Sequence, residues 1–100
     1  MPNRERRKGL EGEREVAAIW REHGFHVRSL EGEGDHMVLG LFGRETLHSE
    51  VKRQNRLRIE WVYQAEREAP AGAVPVVAWR PDGHPWWAMI PLEDLARLLA

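Results

Sequence analysis

The sequence predicts an α/β protein, a mixed five-stranded sheet flanked by helices in the order αβββαββα. Three observations carry this expectation. An amphipathic helical pattern spans Leu10 to Glu22. Two strand-like runs flank Gly43-Arg44, and a second helical stretch follows from Ile59. Two further short strand-like runs and a Pro-led helix close the chain.

The first helix has Gly9 before it and Gly24 after it as punctuation, which leaves residues 1–8 as a basic N-terminal arm. At about 100° per residue, Leu10, Val16, Ala17 and Trp20 fall on one stripe with Glu13 in its middle. Glu11, Arg14, Glu15, Arg21 and Glu22 lie off it. Glu13 is thus a carboxylate aimed at the sheet, and a buried carboxylate is costly unless it is paired. It either serves a site or meets a buried cation such as Lys52.

A first strand is expected between Gly24 and Asp35. The run Met37-Val38-Leu39-Gly40-Leu41-Phe42 forms the second, with Asp35 at its head, and Thr46 to Lys52 form the third. Strand side chains alternate faces, so Glu50 and Lys52 point the same way, roughly 7 Å apart. Leu47, Ser49 and Val51 point the other way. Gly43-Arg44 suits a two-residue type II′ loop flanked by Phe42 and Glu45. That loop pairs Leu39 with His48, Met37 with Glu50 and Asp35 with Lys52, which puts Asp35, Glu50 and Lys52 on one side of the sheet. A three-residue loop would reverse the relation. His48 shares the face of Glu50, where it either touches a substrate or is a satisfied structural histidine.

Ile59 to Ala69 reads as the second helix, with Trp61, Val62, Ala65 and Ala69 on a common side and Gln64 off the stripe, where it either reaches toward the site or is a plain surface residue. Pro70-Ala71-Gly72 ends it. Ala73 to Trp79 is the fourth strand, in which Pro75 suggests an edge or a bulge. Arg80-Pro81-Asp82-Gly83 is a turn by composition, and Trp86 to Ile90 is the last strand. Pro91 opens a short helix bearing Leu92, Leu95, Leu98 and Leu99. Trp86 and Trp87 face opposite sides, so one of them looks outward or lies under the last helix.

The 100 residues make one domain, and 42% hydrophobic content supports a globular core. No run approaches a membrane span and no signal peptide precedes the charged start, so the expected location is cytoplasmic. The chain has no Cys, which excludes thiol chemistry.

Arg7-Lys8-Gly9, Glu13-Arg14-Glu15, Gly34-Asp35 and Glu50-Val51-Lys52, taken together, resemble the PD-(D/E)XK nuclease superfamily. Within it the chain looks most like the archaeal-type Holliday junction resolvases, which also occur in phages and bacteria. Gly34 stands where the superfamily name has Pro. The resemblance covers nearly the whole chain and implies a restriction-endonuclease-like fold in a prokaryotic or phage-infected cell. It implies Asp35 and Glu50 as metal ligands, with the Val51 carbonyl adding a backbone oxygen. Glu13 would complete the metal's water shell or hold a second ion, and Lys52 would position and activate the attacking water. The cofactor would be Mg²⁺, with Mn²⁺ as a substitute, and the partner a branched DNA, a four-way junction resolved by a homodimer. The same residues also fit another repair or restriction-type nuclease of the superfamily, or a noncatalytic nucleic-acid-binding module on the same fold. Phosphodiester hydrolysis independently calls for a hard cation, and without Cys or paired His this set of oxygen ligands suits Mg²⁺ rather than zinc.

The net charge of −1 is unusual for a DNA-binding protein, but the distribution answers part of that. Arg4, Arg6, Arg7 and Lys8 cluster at the start, and Lys52, Arg53, Arg56 and Arg58 follow the third strand. These hold eight of the fifteen basic residues and flank the expected site in sequence. With Arg14, they are the candidate phosphate contacts, and a solvated arm or polar helix face is the alternative.

Overall fold

The structure, a computed structural model, describes residues 4–29, 35–39 and 46–100, with the backbone alone at 4–6, 29, 35–39 and 46. Its elements are α1 (Arg4–Glu22), β1 (His26–Ser29), β2 (Asp35–Leu39), β3 (Thr46–Lys52), α2 (Ile59–Glu68), β4 (Ala73–Trp79), β5 (Trp87–Met89) and α3 (Leu92–Leu99). One sheet holds the strands in the order β1-β2-β3-β4-β5. The first three pair antiparallel, β3 and β4 pair parallel, and β5 returns antiparallel on β4. Parallel neighbours need a crossover, and α2 supplies it.

Helix α1 begins at Arg4, six residues earlier than Leu10, so residues 4–8 are its first turns rather than a separate arm. Arg-Glu-Arg-Arg-Lys is made of good helix formers. The two interior glycines, Gly9 and Gly12, cost only about 1 kcal/mol each against a helix of 19 residues. The other end is a Schellman cap. Gly24 takes φ 90°, the Phe25 N–H donates to the Trp20 carbonyl at 3.1 Å, and the Gly24 N–H donates to that of Arg21 at 3.0 Å. The apolar contact that accompanies such caps is present as the edge-to-face Trp20–Phe25 pair, 5.4 Å between ring centroids. Val16 and Ala17 are buried as the stripe requires, whereas Leu10 is 46% exposed and lies outside the core.

Alternation along β3 and β4 sorts the core into two layers. Leu47, Val74 and Val76 pack with Trp20, Phe25, Val27 and Ile90 on the α1 side. Val77 packs with Trp61 and Ala65 of α2, joined by Val62, Trp79 and Met89, on the other side. Helices α1 and α2 therefore cover opposite faces. Pro75 sits in an interior strand, not at an edge of the sheet. It is tolerated because β5 pairs only with Val77–Trp79, so β4 has no β5 neighbour at Pro75.

The β4–β5 turn is fastened to α1. Arg80 Nη1 meets both carboxylate oxygens of Glu15, at 3.1 and 2.9 Å, and the Trp86 indole N–H donates to Glu15 at 2.9 Å. Gly12 is buried beneath this turn. A Cβ there would lie 2.7 Å from Arg53 Cγ and 3.2 Å from the Trp86 ring, so the close approach requires glycine.

Candidate active site

Strand β3 positions the site. Parity puts His48, Glu50 and Lys52 on the face that carries Val77, the α2 side. His48 is 3% and Glu50 1% exposed, while Lys52 at the strand end is half-buried. The register differs from the expected one by two residues. Asp35 stands opposite Glu50, Met37 opposite His48, and the last pair is Leu39 with Thr46. The tight loop at Gly43-Arg44 falls among residues 40–45, outside the described ones. A shift of two keeps parity, so the positions of Asp35 and Glu50 still share a face, now as direct partners rather than a diagonal.

Three α2 side chains meet that face. Trp61 lies under the Lys52 ammonium, 5.9 Å from Nζ to the ring centroid. Lys52 Nζ donates to Gln64 Oε1 at 3.5 Å, and Gln64 Nε2 donates to Glu68 Oε1 at 3.1 Å. The Glu68 carboxyl lies below the usual carboxylate value of 4.5. A hydrogen bond with Glu50 contributes most, then the bond from Gln64, with the charges of His48 and Lys52 adding to it against a small cost of burial. Glu50 is thus met by a second acid across the strand–helix interface.

The sequence reading missed Glu68 and set Gln64 aside. A signal was present: Trp61, Gln64, Ala65 and Glu68 recur at helical spacing, so an exposed acid near the end of α2 shares the side of the buried Trp61 and Ala65.

Glu13 is half-buried on α1, which covers the other face of the sheet from Glu50 and Lys52. The structure sets Asp35 in register opposite Glu50, with Lys52 two positions further along β3 on the face of Glu50, and carries Glu13 on the helix of the opposing layer. Among the described residues no three His, Cys, Asp or Glu side chains converge as a metal site; Asp35 is described by its backbone alone.

Beside the end of β3 lies a cleft of about 420 Å³, lined by Lys8 and Gly9 of α1 and by Val51, Lys52, Arg53, Gln54 and Asn55. Three of the expected basic residues thus converge on one groove. Two of them are held by the β4–β5 turn: Lys8 Nζ lies 2.9 Å and Arg53 Nη2 3.4 Å from the same Asp82 oxygen. The Lys8 hydrogen bond holds the Asp82 carboxyl below 3.8 against desolvation, and the charges of Lys8 and Arg53 add to the lowering. The tie is therefore complete at neutral pH and is lost as pH falls through that depressed value. Arg7, Arg14, Arg56 and Arg58 are exposed, and Arg4 and Arg6 lie on the first turns of α1.

The layer order and the acid–lysine strand under a crossover helix define a mixed α/β domain with a polar column, His48, Glu50 and Lys52, on one face of the sheet. Among solved structures, the chain is similar to Hjc, a Holliday junction resolvase from the archaeal hyperthermophile Archaeoglobus fulgidus. The TM-score is 0.60 at 24% identity, over 83% of this chain and 72% of that one. At this identity the likeness is one of fold. No protein-family model matches the chain, and no curated protein does.

Proposed function

We propose that this chain is a metal-dependent, structure-selective DNA endonuclease of the restriction-endonuclease-like fold, which resolves four-way junctions by paired phosphodiester hydrolysis as a homodimer. The observation that carries this reading is the register of Asp35 on Glu50, with Lys52 two positions along β3 on the same face. The fold shared with a junction resolvase supports it.

The donor set fits a hard cation. Glu50 and Asp35 offer carboxylate oxygens at facing positions, the Val51 carbonyl can add a third oxygen, and the chain has no thiolate to favour a softer metal. Mg²⁺, or Mn²⁺ in its place, would supply charge neutralisation for the phosphorane transition state and acidify a water. Glu13, carried on the opposite layer, would act through water rather than touch the ion. Lys52, with its ammonium lodged between Gln64 and Trp61, would orient the attacking water and offset phosphate charge. The cleft next to it would take the backbone of the strand being cut. Arg53, Lys8 and the exposed arginines Arg7, Arg14, Arg56 and Arg58 would contact flanking phosphates.

A synthetic four-way junction and a matched linear duplex, each incubated with Mg²⁺ or with a chelator, test the proposal. Symmetric cleavage of the junction alone, in Mg²⁺ alone, is expected. Equal cutting of both substrates would point to a repair or restriction-type nuclease, and no cutting of either to a binding module.

The basic groove should set the strength of binding and its response to salt. Replacing Arg4, Arg6, Arg7 and Lys8 by neutral residues should weaken junction binding. It should also flatten the salt dependence, by about 0.9 in log–log slope for each phosphate left without its cation. An unchanged slope would make the first turns of α1 a merely solvated face. Asp82→Asn should have the opposite effect, because Lys8 and Arg53 exchange a carboxylate partner for phosphate. Fluorescence anisotropy should then show tighter binding with a steeper salt slope; weaker binding would make Asp82 a needed orienting group.

A further inference from the structure

We infer that Glu68 is a positioning residue for the cleavage proposed above, acting on Lys52 through Gln64; the inference rests on that reading. The chain of groups has a forced polarity. An ammonium can only donate and an ionised carboxylate can only accept, so the amide between them must give its oxygen to Lys52 and its NH₂ to Glu68. Gln64 has nearly the same shape either way round. Turned over, it would aim two donors at the Lys52 ammonium.

Lys52 is held lightly, by a 3.5 Å bond to Gln64 and by a ring face 5.9 Å away. The direction of the amide therefore decides whether the ammonium has an acceptor beside it. The shorter, charge-assisted bond from Gln64 Nε2 to Glu68, at 3.1 Å, fixes that direction. Glu68 stands one helical turn beyond Gln64, and its carboxyl meets Glu50 as well, so a single solvent-accessible acid ties both β3 side chains to α2.

Glu68→Ala frees the amide to turn, whereas Glu68→Gln keeps an oxygen acceptor for Gln64 Nε2. In saturating Mg²⁺, kcat for junction cleavage should fall roughly tenfold to a hundredfold in Glu68→Ala. KM, junction Kd and Tm should stay close to those of the parent, and Glu68→Gln should recover most of the loss. An unaltered kcat in Glu68→Ala would overturn the inference. So would a loss shared equally by both variants, a fall in Tm that accounts for it, or recovery on raising Mg²⁺, which would mean that Glu68 acts on Glu50.

A readout without catalysis separates this inference from the nuclease reading. The ¹⁵N-detected mobility of the Lys52 NH₃⁺ group should rise in Glu68→Ala and stay low in Glu68→Gln. Unchanged mobility in Glu68→Ala would end the positioning role. An inactive parent protein would instead end the nuclease reading, while the mobility still decided what Glu68 does to Lys52.

Discussion

Asp35→Asn or Glu50→Gln is expected to lower junction cleavage by at least about a hundredfold, as loss of a group that stabilises transition-state charge does. Folding and junction binding should be retained. The two acids are direct cross-strand partners, and like charges placed opposite each other destabilise an antiparallel pair. Glu50 is also 1% exposed, so an amide in its place removes a buried ionisable group opposite Asp35 and still offers Glu68 a hydrogen-bond donor. Tm should therefore hold or rise as activity disappears, a combination that general damage to the fold does not produce. The measurement is Mg²⁺-dependent cleavage beside thermal melting and junction anisotropy for each variant. Full activity in either would remove that residue from the site.

The register shows what a sequence can and cannot convey about such a site. Period-two alternation determines which residues share a face, so Glu50, Lys52 and His48 are legible as one column from the sequence alone. Pairing depends on the length of the connection, and Gly43-Arg44 as a tight turn sets it two residues off. Parity survives because two is even. Glycine misleads again at Gly9, where local punctuation is outweighed by helix-forming neighbours and by the Lys8–Asp82 tie that anchors those turns. Furthest from view is the layer order. The stripe on α1 shows that Glu13 faces a sheet but not which face, and only the two core clusters separate it from Glu50. Glu68 is hidden for a related reason. Near a helix end an exposed acid reads as a surface residue, until its hydrogen bond from Gln64 shows that it shares the side of Trp61 and Ala65.

The second large effect expected is on assembly. Light scattering at micromolar concentration should give twice the 11.6 kDa chain mass. Helix α3 has eight residues and buries none of them, and Leu92 and Leu99 are each 78% exposed, with Leu95 and Leu98 at 38%. A helix that short is marginal on its own in water, so its apolar face needs a cover. Trp87, on the neighbouring edge strand β5, is 59% exposed and adds an aromatic to the same end of the chain, while its neighbour Trp86 is spent on Glu15 and Gly12. A second copy is the occupant that the proposed reaction calls for. Two symmetric incisions need two sites, one chain offers one column of Asp35, Glu50 and Lys52, and a closed two-fold pair is the commonest way to duplicate it. An interface of standard size would bury on the order of 800 Å² per partner, and each leucine sealed in it contributes about 1.5–3 kcal/mol. Trp87→Glu or Leu98→Glu should therefore shift the mass toward the monomer and abolish paired cutting, while leaving the groove of Lys8 and Arg53 able to bind DNA. A clean monomer that makes paired nicks only once it is on DNA would sink the preformed dimer and leave the nuclease standing.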